Sequence, residues 1–256
     1  MALITFLSDF GTRDHYVAAV KAKILSINPG LRIIDISHEV NYFDIAHGSS
    51  LLSAVFRDFP KGTVHLVAVD SAGNNDRFLA ISLEDHYFVG PDNGIFGLIT
   101  EKNAQNSVLL QLPKVFSSSF PAKDILAPAA AKLASAASLN DLGTEIRDYK
   151  KMIPRISRAS KKMISGHVVH VDHYGNLITN IKKLDFDILS KDKVYQLTFG
   201  RETMDKVHKS YFETEDGDCC VLFNQQGYLE ISINKGNASE LLGLEVDSPV
   251  NITFPE

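Results

Sequence analysis

The sequence predicts an α/β N-terminal domain with a mostly parallel sheet, followed by a small all-β barrel as the C-terminal domain. Strand-like and helix-like segments alternate in the first half, which is typical of a doubly covered parallel sheet. From Gly166 onward, short strand-like segments follow one another with turn residues between them, as in small barrels and sandwiches. A basic stretch at 150–162 separates the two patterns and is interpreted as a linker. We therefore predict domains at 1–155 and 163–256.

Each element of the α/β domain has a local signal. The predicted strands are apolar or β-branched runs bounded by polar residues, at 3–7, 32–36, 64–69, 78–82 and 87–89. Helices are predicted where apolar or alanine-rich stretches have helical character, at 16–27, 44–56 and 127–137. Pro128 suits the first turn of the last helix, because a backbone N–H has no helical partner there.

The second domain is predicted from a series of strands alone. They lie at 167–171, 177–181, 194–199, 220–223, 228–233 and 250–254. The two cysteines, Cys219 and Cys220, are adjacent, a spacing that suits neither a disulfide nor a zinc site. They are expected in one strand, with one side chain on each face.

Composition and charge argue against several classes of protein. The 256-residue chain is 45% hydrophobic and 22% charged, as in an ordinary globular protein. Its net charge of −5 argues against nonspecific binding to nucleic acid or to an anionic membrane. No secretory leader pattern is evident, and no apolar run reaches the ~18 residues of a membrane helix. We expect a cytoplasmic protein in a reducing compartment, with no nucleic-acid or membrane partner.

A carboxylate follows the first predicted strand, within Ser8-Asp9-Phe10-Gly11. Open α/β sheets bind ligands just beyond the carboxyl ends of their strands. The two oxygens of Asp9 can accept hydrogen bonds from a diol such as the edge of a ribose. The alternative is that Asp9 only caps the following helix.

A second carboxylate ends the strand 64–69. From Asp70, a loop of small residues returns to Arg77, so Arg77 can fold back onto Asp70. Such a pair can position a water molecule and accept its proton. The alternative is a structural salt bridge in a loop.

Two further clusters lie in turns. Gly90-Pro91-Asp92-Asn93-Gly94 is either a plain turn or a place where backbone approaches a ligand closely. In the segment 171–180, Asn176 can pair with adenine, Tyr174 can stack on a ring, and Asp172 can hold an ammonium group. The alternative is a hairpin corner at Gly175-Asn176. The chain contains no GxSxG, Walker or GxGxxG motif, and no histidine pair with metal-site spacing.

Seven motifs, taken in order, resemble the S-adenosyl-L-methionine (SAM) hydroxide adenosyltransferases, also called SAM hydrolases, which are related to the fluorinase and chlorinase. Each motif is weak alone, but together they span nearly the whole chain. They are Ser8-Asp9-Phe10-Gly11, Ser37-His38-Glu39-Val40, Asp70 to Arg77, Gly90-Pro91-Asp92-Asn93-Gly94, Ala127-Pro128-Ala129-Ala130-Ala131, Tyr174-Gly175-Asn176 with Thr179-Asn180, and Asn224 with Gly227-Tyr228-Leu229-Glu230.

The resemblance implies the same two-domain fold and a homotrimer with active sites between one subunit's N-terminal domain and its neighbour's C-terminal domain. It implies that SAM is the substrate, with no cofactor and no metal. Asp70 and Arg77 match two members of an Asp-Arg-His triad that activates water. The residues implied to bind substrate are Asp9 at the ribose, Tyr174 and Asn176 at the adenine, Asp172 at the methionine ammonium and Tyr211 near the pocket, together with Phe10 and Asn224.

The implied reaction is attack of water or hydroxide on ribose C5′, which gives adenosine and methionine. The chain departs from the family at the triad histidine, where the family reads Phe-His-Gly-Arg-Asp and this chain reads Phe120-Pro121-Ala122-Lys123-Asp124. It also has Ser71-Ala72 for Pro-Gly, and Asn224-Gln225 for Asn-Ser. The leading hypothesis is a slow SAM hydrolase. Its rival is an impaired protein that binds SAM or adenosine, and a halogenase is disfavoured because Asp70 is not aromatic.

Overall fold

The computed structural model describes residues 3–73, 76–99, 102–112 and 117–255. The chain divides into two compact units, Met1–Pro154 and Arg155–Glu256. In the described residues, no helix is long and apolar enough to cross a membrane.

The strands and longer helices of the first unit that the sequence predicted lie within a few residues of their expected positions. The unit contains β1 (Leu3–Ser8), α1 (Tyr16–Ile27), β2 (Arg32–Ser37), α2 (Ile45–Val55), β3 (Val64–Ala68), β4 (Phe78–Leu83), β5 (His86–Pro91), β6 (Asn106–Leu110), α3 (Ala127–Ala134) and β7 (Gly143–Glu145). A π-helical turn at Ala122–Leu126 leads directly into α3.

The sheet of this unit is mixed, so the prediction of a mostly parallel sheet was wrong in part. Its strand order is β2-β1-β3-β5-β4-β6-β7. β1 pairs in parallel with β2 and β3, and β3 with β5, whereas β4, β6 and β7 are antiparallel to their neighbours. The reason lies between β4 and β5, where Glu84 and Asp85 both have positive φ values of 50° and 64°. A two-residue turn of this kind reverses the chain and forces antiparallel pairing.

Two apolar clusters cover the two faces of this sheet. Alternate residues of β1 point to opposite faces, as the period of a strand requires. Phe6 joins Val20 and Ile24 of α1 and the alanines of α3 in one cluster. Leu7 joins Leu52 of α2 and the neighbouring Phe56 in the other. The first strand is therefore buried on both sides, and its carboxyl end holds Asp9 at a fixed edge of the sheet.

The second unit contains a curled antiparallel sheet and two short helices. Its elements are β8 (Arg158–Ala159), β9 (Met163–Val171), β10 (Leu177–Lys182), α4 (Lys183–Leu189), β11 (Gln196–Phe199), β12 (Glu202–Met204), β13 (Cys219–Phe223), β14 (Tyr228–Ile233), α5 (Ala238–Leu242) and β15 (Pro249–Thr253). The strand order is β12-β11-β15-β9-β10-β14-β13, with β8 added to β9.

This sheet is a half-barrel, so the prediction of a small all-β barrel is confirmed only in part. The path through the sheet ends at β12 on one side and at β13 on the other, and no ladder joins these two strands in the described residues. The chain between them contains a 3-10 turn at Tyr211–Glu213 in place of a strand that closes the sheet. The concave side is filled by one apolar cluster that includes Leu197, Val221 and Ile252.

Gly143 offers a test of how closely β6 and β7 approach each other. A Cβ atom at this position would lie 1.9 Å from the backbone oxygen of Leu109. Because backbone cannot yield as a flexible side chain can, we expect Gly143→Ala to lower the free energy of unfolding by about 1–3 kcal/mol. Gly30→Ala is the matched control, since its nearest neighbour is the side-chain oxygen of Asn28 at 3.3 Å. Equal urea midpoints for the two variants would contradict the close approach.

Candidate functional site

Asp9 lies at the carboxyl end of β1, and its carboxylate is held by two backbone amides. Oδ2 accepts hydrogen bonds from Phe43 N at 3.0 Å and from Asp70 N at 3.1 Å. The residue is 8% exposed. The alternative role as a helix cap is not what the structure has, because the N-cap position of α1 is His15 and no side chain caps it. One oxygen of Asp9 is thus fixed by two backbone amides of the protein.

Asp70 follows β3, the strand beside β1, and its backbone is left-handed with φ +47°. Aspartate tolerates this conformation better than most residues, and such outliers concentrate at functional sites. This conformation directs its amide toward Asp9. A Cβ at Gly73 would lie 3.2 Å from Oδ1, so the small-residue loop lies directly beside the carboxylate. Partial burial, and then the negative charge of Asp9, raise the pKa of Asp70.

Arg77 does not fold back onto Asp70, as the sequence suggested, but pairs with Asp92. Its Nε donates to Asp92 Oδ2 at 2.8 Å, and the two backbones are also bonded, from Asp92 N to Arg77 O. Asp92 is 3% exposed, and its second oxygen accepts from Lys150 N at 2.8 Å. The loop 90–94 therefore holds the arginine, a long-range partnership that the spacing of Asp70 and Arg77 could not indicate.

Phe10, the residue after Asp9, belongs to an aromatic group with Tyr16 and Phe120. The ring of Phe10 lies 5.6 Å from that of Phe120 and 6.0 Å from that of Tyr16. Pro121, next to Phe120, precedes the π-helical turn at Ala122–Leu126. The side chain of Pro121 has no hydrogen-bond donor or acceptor, and its match to a histidine of the resembling family remains a prediction.

In the second unit, Asp172 organises the turn between β9 and β10. Oδ1 accepts from Tyr174 N and Asn176 N, both at 2.9 Å, and Oδ2 accepts from Asn176 Nδ2 at 3.0 Å. Gly175 has φ +83°, and a Cβ there would lie 1.9 Å from Asn237 Oδ1. The role of a hairpin corner is therefore present, and contacts of these residues with a ligand remain predictions.

The turn leaves one aromatic ring open to solvent. Tyr174 is 76% exposed, and its ring lies 5.9 Å from that of the adjacent His173. Asn176, in contrast, is buried and bonded to Asp172. Of the two residues predicted to contact adenine, one is free to stack and the other is held in place.

Tyr211 is hydrogen-bonded to Glu230, a carboxylate for which the sequence predicted no separate role. Its hydroxyl donates to Glu230 Oε1, which also accepts from Ser232 Oγ at 2.9 Å. Burial, followed by the bond to Glu230, raises the pKa of Tyr211, and the charge of Asp172 adds to this rise. The negative charges of Glu230 and Asp172 thus both act on the Tyr211 hydroxyl. The sequence pattern of β14 alone did not predict this cluster.

Asn224 stabilises the turn between β13 and β14. Its Oδ1 accepts from Gln226 N and Tyr228 N, both at 3.1 Å. This is the arrangement by which asparagine side chains replace backbone acceptors in tight turns. Its contact with a substrate remains a prediction. Among the described residues, no group of three histidine, cysteine, aspartate or glutamate side chains is placed to hold a metal ion.

The turn role of Asp172 leads to a prediction about stability. Asp172→Ala removes three hydrogen bonds and leaves the buried Asn176 amide without its acceptor, which costs about 1–3 kcal/mol. We expect Asp172→Asn to retain most of this stability, because its amide oxygen can replace Oδ1. Thermal melts of both variants measure the difference. Equal melting temperatures for Asp172→Ala and the unaltered protein would show that the turn does not depend on this carboxylate.

The same two-domain architecture occurs in proteins of known structure. A crystal structure of an uncharacterized conserved protein from Thermotoga maritima has a TM-score of 0.87, with 32% identity over 98% of this chain and 99% of that one. A conserved hypothetical protein from Thermus thermophilus has a TM-score of 0.77 at 29% identity, with both chains fully covered.

Family models for the SAM hydroxide adenosyltransferase N-terminal domain and C-terminal domain match residues 4–143 and 166–251. The chain therefore belongs to the SAM hydroxide adenosyltransferase family. An (R)-S-adenosyl-L-methionine hydrolase from Methanocaldococcus jannaschii is 32% identical, over 98% of this chain and 96% of its own. A fluorinase from Actinoplanes sp. is 26% identical, over 98% and 97%.

Proposed function

We propose that the protein hydrolyses SAM to adenosine and L-methionine. Family membership supports this, as do relatives from several organisms that bear the name (R)-S-adenosyl-L-methionine hydrolase. The observation that carries the proposal is the pair of adjacent carboxylates at the ends of β1 and β3, where Asp70 N donates to Asp9. The pair combines a diol acceptor with a base within a single edge of the sheet.

In this reaction a water oxygen attacks C5′ of the ribose as the bond from C5′ to sulfur breaks. The electron pair of that bond returns to sulfur, so methionine leaves as a neutral thioether and needs no general acid. The water proton is the one group that requires an acceptor. Because the sulfonium already makes a good leaving group, we propose SAM as the substrate with no separate cofactor.

Asp70 is the proposed base. Burial and the nearby charge of Asp9 raise its pKa, and a raised pKa makes a carboxylate a stronger proton acceptor at neutral pH. Arg77 is proposed as the second catalytic residue, with its orientation set by its pairing with Asp92 rather than with Asp70. The second oxygen of Asp9 is proposed to accept the ribose hydroxyls, with Phe10 in the adjoining wall.

The second unit is proposed to bind the two ends of SAM. Tyr174 offers an exposed ring for adenine, and Asn176 an amide that can bond the base edge. Asp172 and Tyr211, close to the buried Glu230, supply negative charge and acceptor oxygens for the methionine ammonium. Asn224 is proposed to hold the neighbouring turn against the substrate.

We also propose a homotrimer, with each active site formed between the N-terminal domain of one subunit and the C-terminal domain of its neighbour. Large aromatic residues are exposed on both units of the single chain, including Tyr42 and Phe43 beside Asp9, and Phe212 beside Tyr211. Light scattering measures the mass, and a monomeric mass at working concentrations would contradict this arrangement. The two free cysteines fit a proposed cytoplasmic location.

The test of function is chromatography of SAM incubated with purified protein, for each epimer at sulfur, because relatives are named for the (R) form. Equimolar adenosine and methionine in proportion to enzyme are expected. The rival function, binding without turnover, is favoured by Pro121 alone. It would be supported by SAM that raises the melting temperature and yet is recovered intact after long incubation with either epimer.

A further inference from the structure

His38 follows β2 and is hydrogen-bonded to both ends of the turn that contains Asp9. Its Nδ1 lies 2.7 Å from Ser8 Oγ, and its backbone oxygen accepts from Gly11 N at 2.7 Å. His38 is 5% exposed and Ser8 is fully buried. One residue therefore fixes the position immediately before Asp9 and the position two residues after it.

The far side of the imidazole faces an ion pair. Nε2 lies 3.2 Å from Asp35 Oδ1, outside hydrogen-bond geometry, and Asp35 pairs with Lys21 at 2.6 Å. Burial lowers the pKa of His38, in spite of the opposing effect of Asp35. With the proton of a neutral ring on Nε2, Nδ1 is the atom that accepts the hydrogen of Ser8.

The loop that begins at His38 also reaches the carboxylate itself. Five residues later, Phe43 N donates to Asp9 Oδ2. A cavity of about 250 Å³ lies along this loop, lined by Gly11, His38, Glu39, Val40, Asn41 and Tyr42. The loop thus holds the turn at one end, holds one oxygen of Asp9 at the other, and borders open space between them.

We propose that His38 is a positioning residue for Asp9. It holds the second oxygen of the Asp9 carboxylate where that oxygen can accept hydrogen bonds from a vicinal diol. The proposal rests on the proposed role of Asp9 at the ribose. His38 takes no part in proton transfer to the substrate. It acts through the hydrogen bond to Ser8, because that bond fixes the last residue of β1 before the carboxylate. A displacement of Asp9 weakens bonds to the diol without altering contacts with the base.

The test compares the binding of adenosine and of 2′,3′-dideoxyadenosine by calorimetry. The ratio of their dissociation constants isolates the diol, since a general loss of structure weakens both ligands alike. We expect His38→Ala to reduce the preference for adenosine by about tenfold, the equivalent of one hydrogen bond to a charged group. An unchanged ratio in His38→Ala would overturn the proposal.

Two conservative variants keep the test decisive if the alanine variant does not fold. Asn places an amide near the position of Nδ1 and is expected to restore the bond to Ser8 and the preference for adenosine. Gln reaches toward Asp35 instead, and is expected to leave the preference low. Equal ratios in both variants would contradict action through Ser8.

Asp9→Ala separates this proposal from the one on which it rests. A reduced ratio in Asp9→Ala with a normal ratio in His38→Ala would overturn only the positioning role. A normal ratio in Asp9→Ala would overturn the ribose role of Asp9 and the positioning role together. Failure of the unaltered protein to bind adenosine would contradict the proposed function itself.

Discussion

Asp70→Asn is expected to reduce SAM hydrolysis by about 10²–10⁴-fold, the usual contribution of a positioned acid or base, while SAM still binds. Asparagine has the same shape but cannot accept a proton from water. It tolerates the left-handed backbone of this position, so the amide that donates to Asp9 stays in place. The loss is therefore confined to the chemical step.

Chromatography of released adenosine measures the loss of hydrolysis, and calorimetry with SAM measures whether binding is retained. Asp76→Asn is the matched control, since Asp76 is an exposed carboxylate in the loop that follows Asp70. Normal turnover in Asp70→Asn would show that another group accepts the proton. A parallel loss of binding would show instead that Asp70 holds the substrate.

The pH dependence of the reaction follows from the same residue. Only the ionised form of Asp70 accepts a proton, so activity rises as the pH increases through its pKa. Burial and the charge of Asp9 place that pKa above the ordinary value of 3.8. The acid limb of the rate profile is expected above that value, and its absence in Asp70→Asn assigns it to this carboxylate.

The positions of Asp9 and Asp70 could be predicted from the sequence because they follow from local strand signals and one general rule. Both end buried apolar strands, and β1 and β3 are parallel neighbours whose carboxyl ends meet. Arg77 could not be paired correctly, because its partner Asp92 is brought to it by the antiparallel pairing of β4 with β5. Nothing in the loop between Asp70 and Arg77 encodes that contact.

The errors in the predicted fold have similar causes. The turn between β4 and β5 contains Glu84 and Asp85, without the glycine or asparagine that usually marks a two-residue hairpin. Alternating strands were therefore predicted as parallel. In the second unit, each strand carries its own pattern, but closure of a barrel depends on the pairing of its first and last strands. That pairing is long-range and has no local sequence signal. Here the described chain between β12 and β13 contains a 3-10 turn and no strand that closes the sheet.

The protein is expected to lose stability in acid because a histidine is buried in β3, the strand that leads to Asp70. His65 lies within β3 with no exposed surface, and its Nδ1 is 2.7 Å from Thr5 Oγ1. Its Nε2 is 3.1 Å from Nδ1 of His86, and its ring stacks on Phe88. Burial, with the neighbouring His86, lowers the pKa of His65 to about 3.

The sign of the effect follows from proton binding in the two states. Between pH 6.5, the ordinary histidine value, and about pH 3, the unfolded chain binds a proton at His65 and the folded chain does not. The free energy of unfolding therefore falls by about 1.4 kcal/mol for each pH unit lowered within that window, and this group adds no dependence above it. The pKa of His86 is also lowered by burial, so its protonation acts in the same direction.

Urea unfolding followed by circular dichroism from pH 7 to pH 4 measures this slope. His65→Gln removes the titrating group while its amide can still reach His86, so the slope is expected to decrease even if the variant is less stable at pH 7. His173→Gln is the matched control, because His173 is exposed in the second unit. If His65→Gln and His173→Gln leave the same slope as the unaltered chain, the acid sensitivity arises elsewhere. If only the first reduces it, the proton taken up on unfolding is bound at His65 in β3.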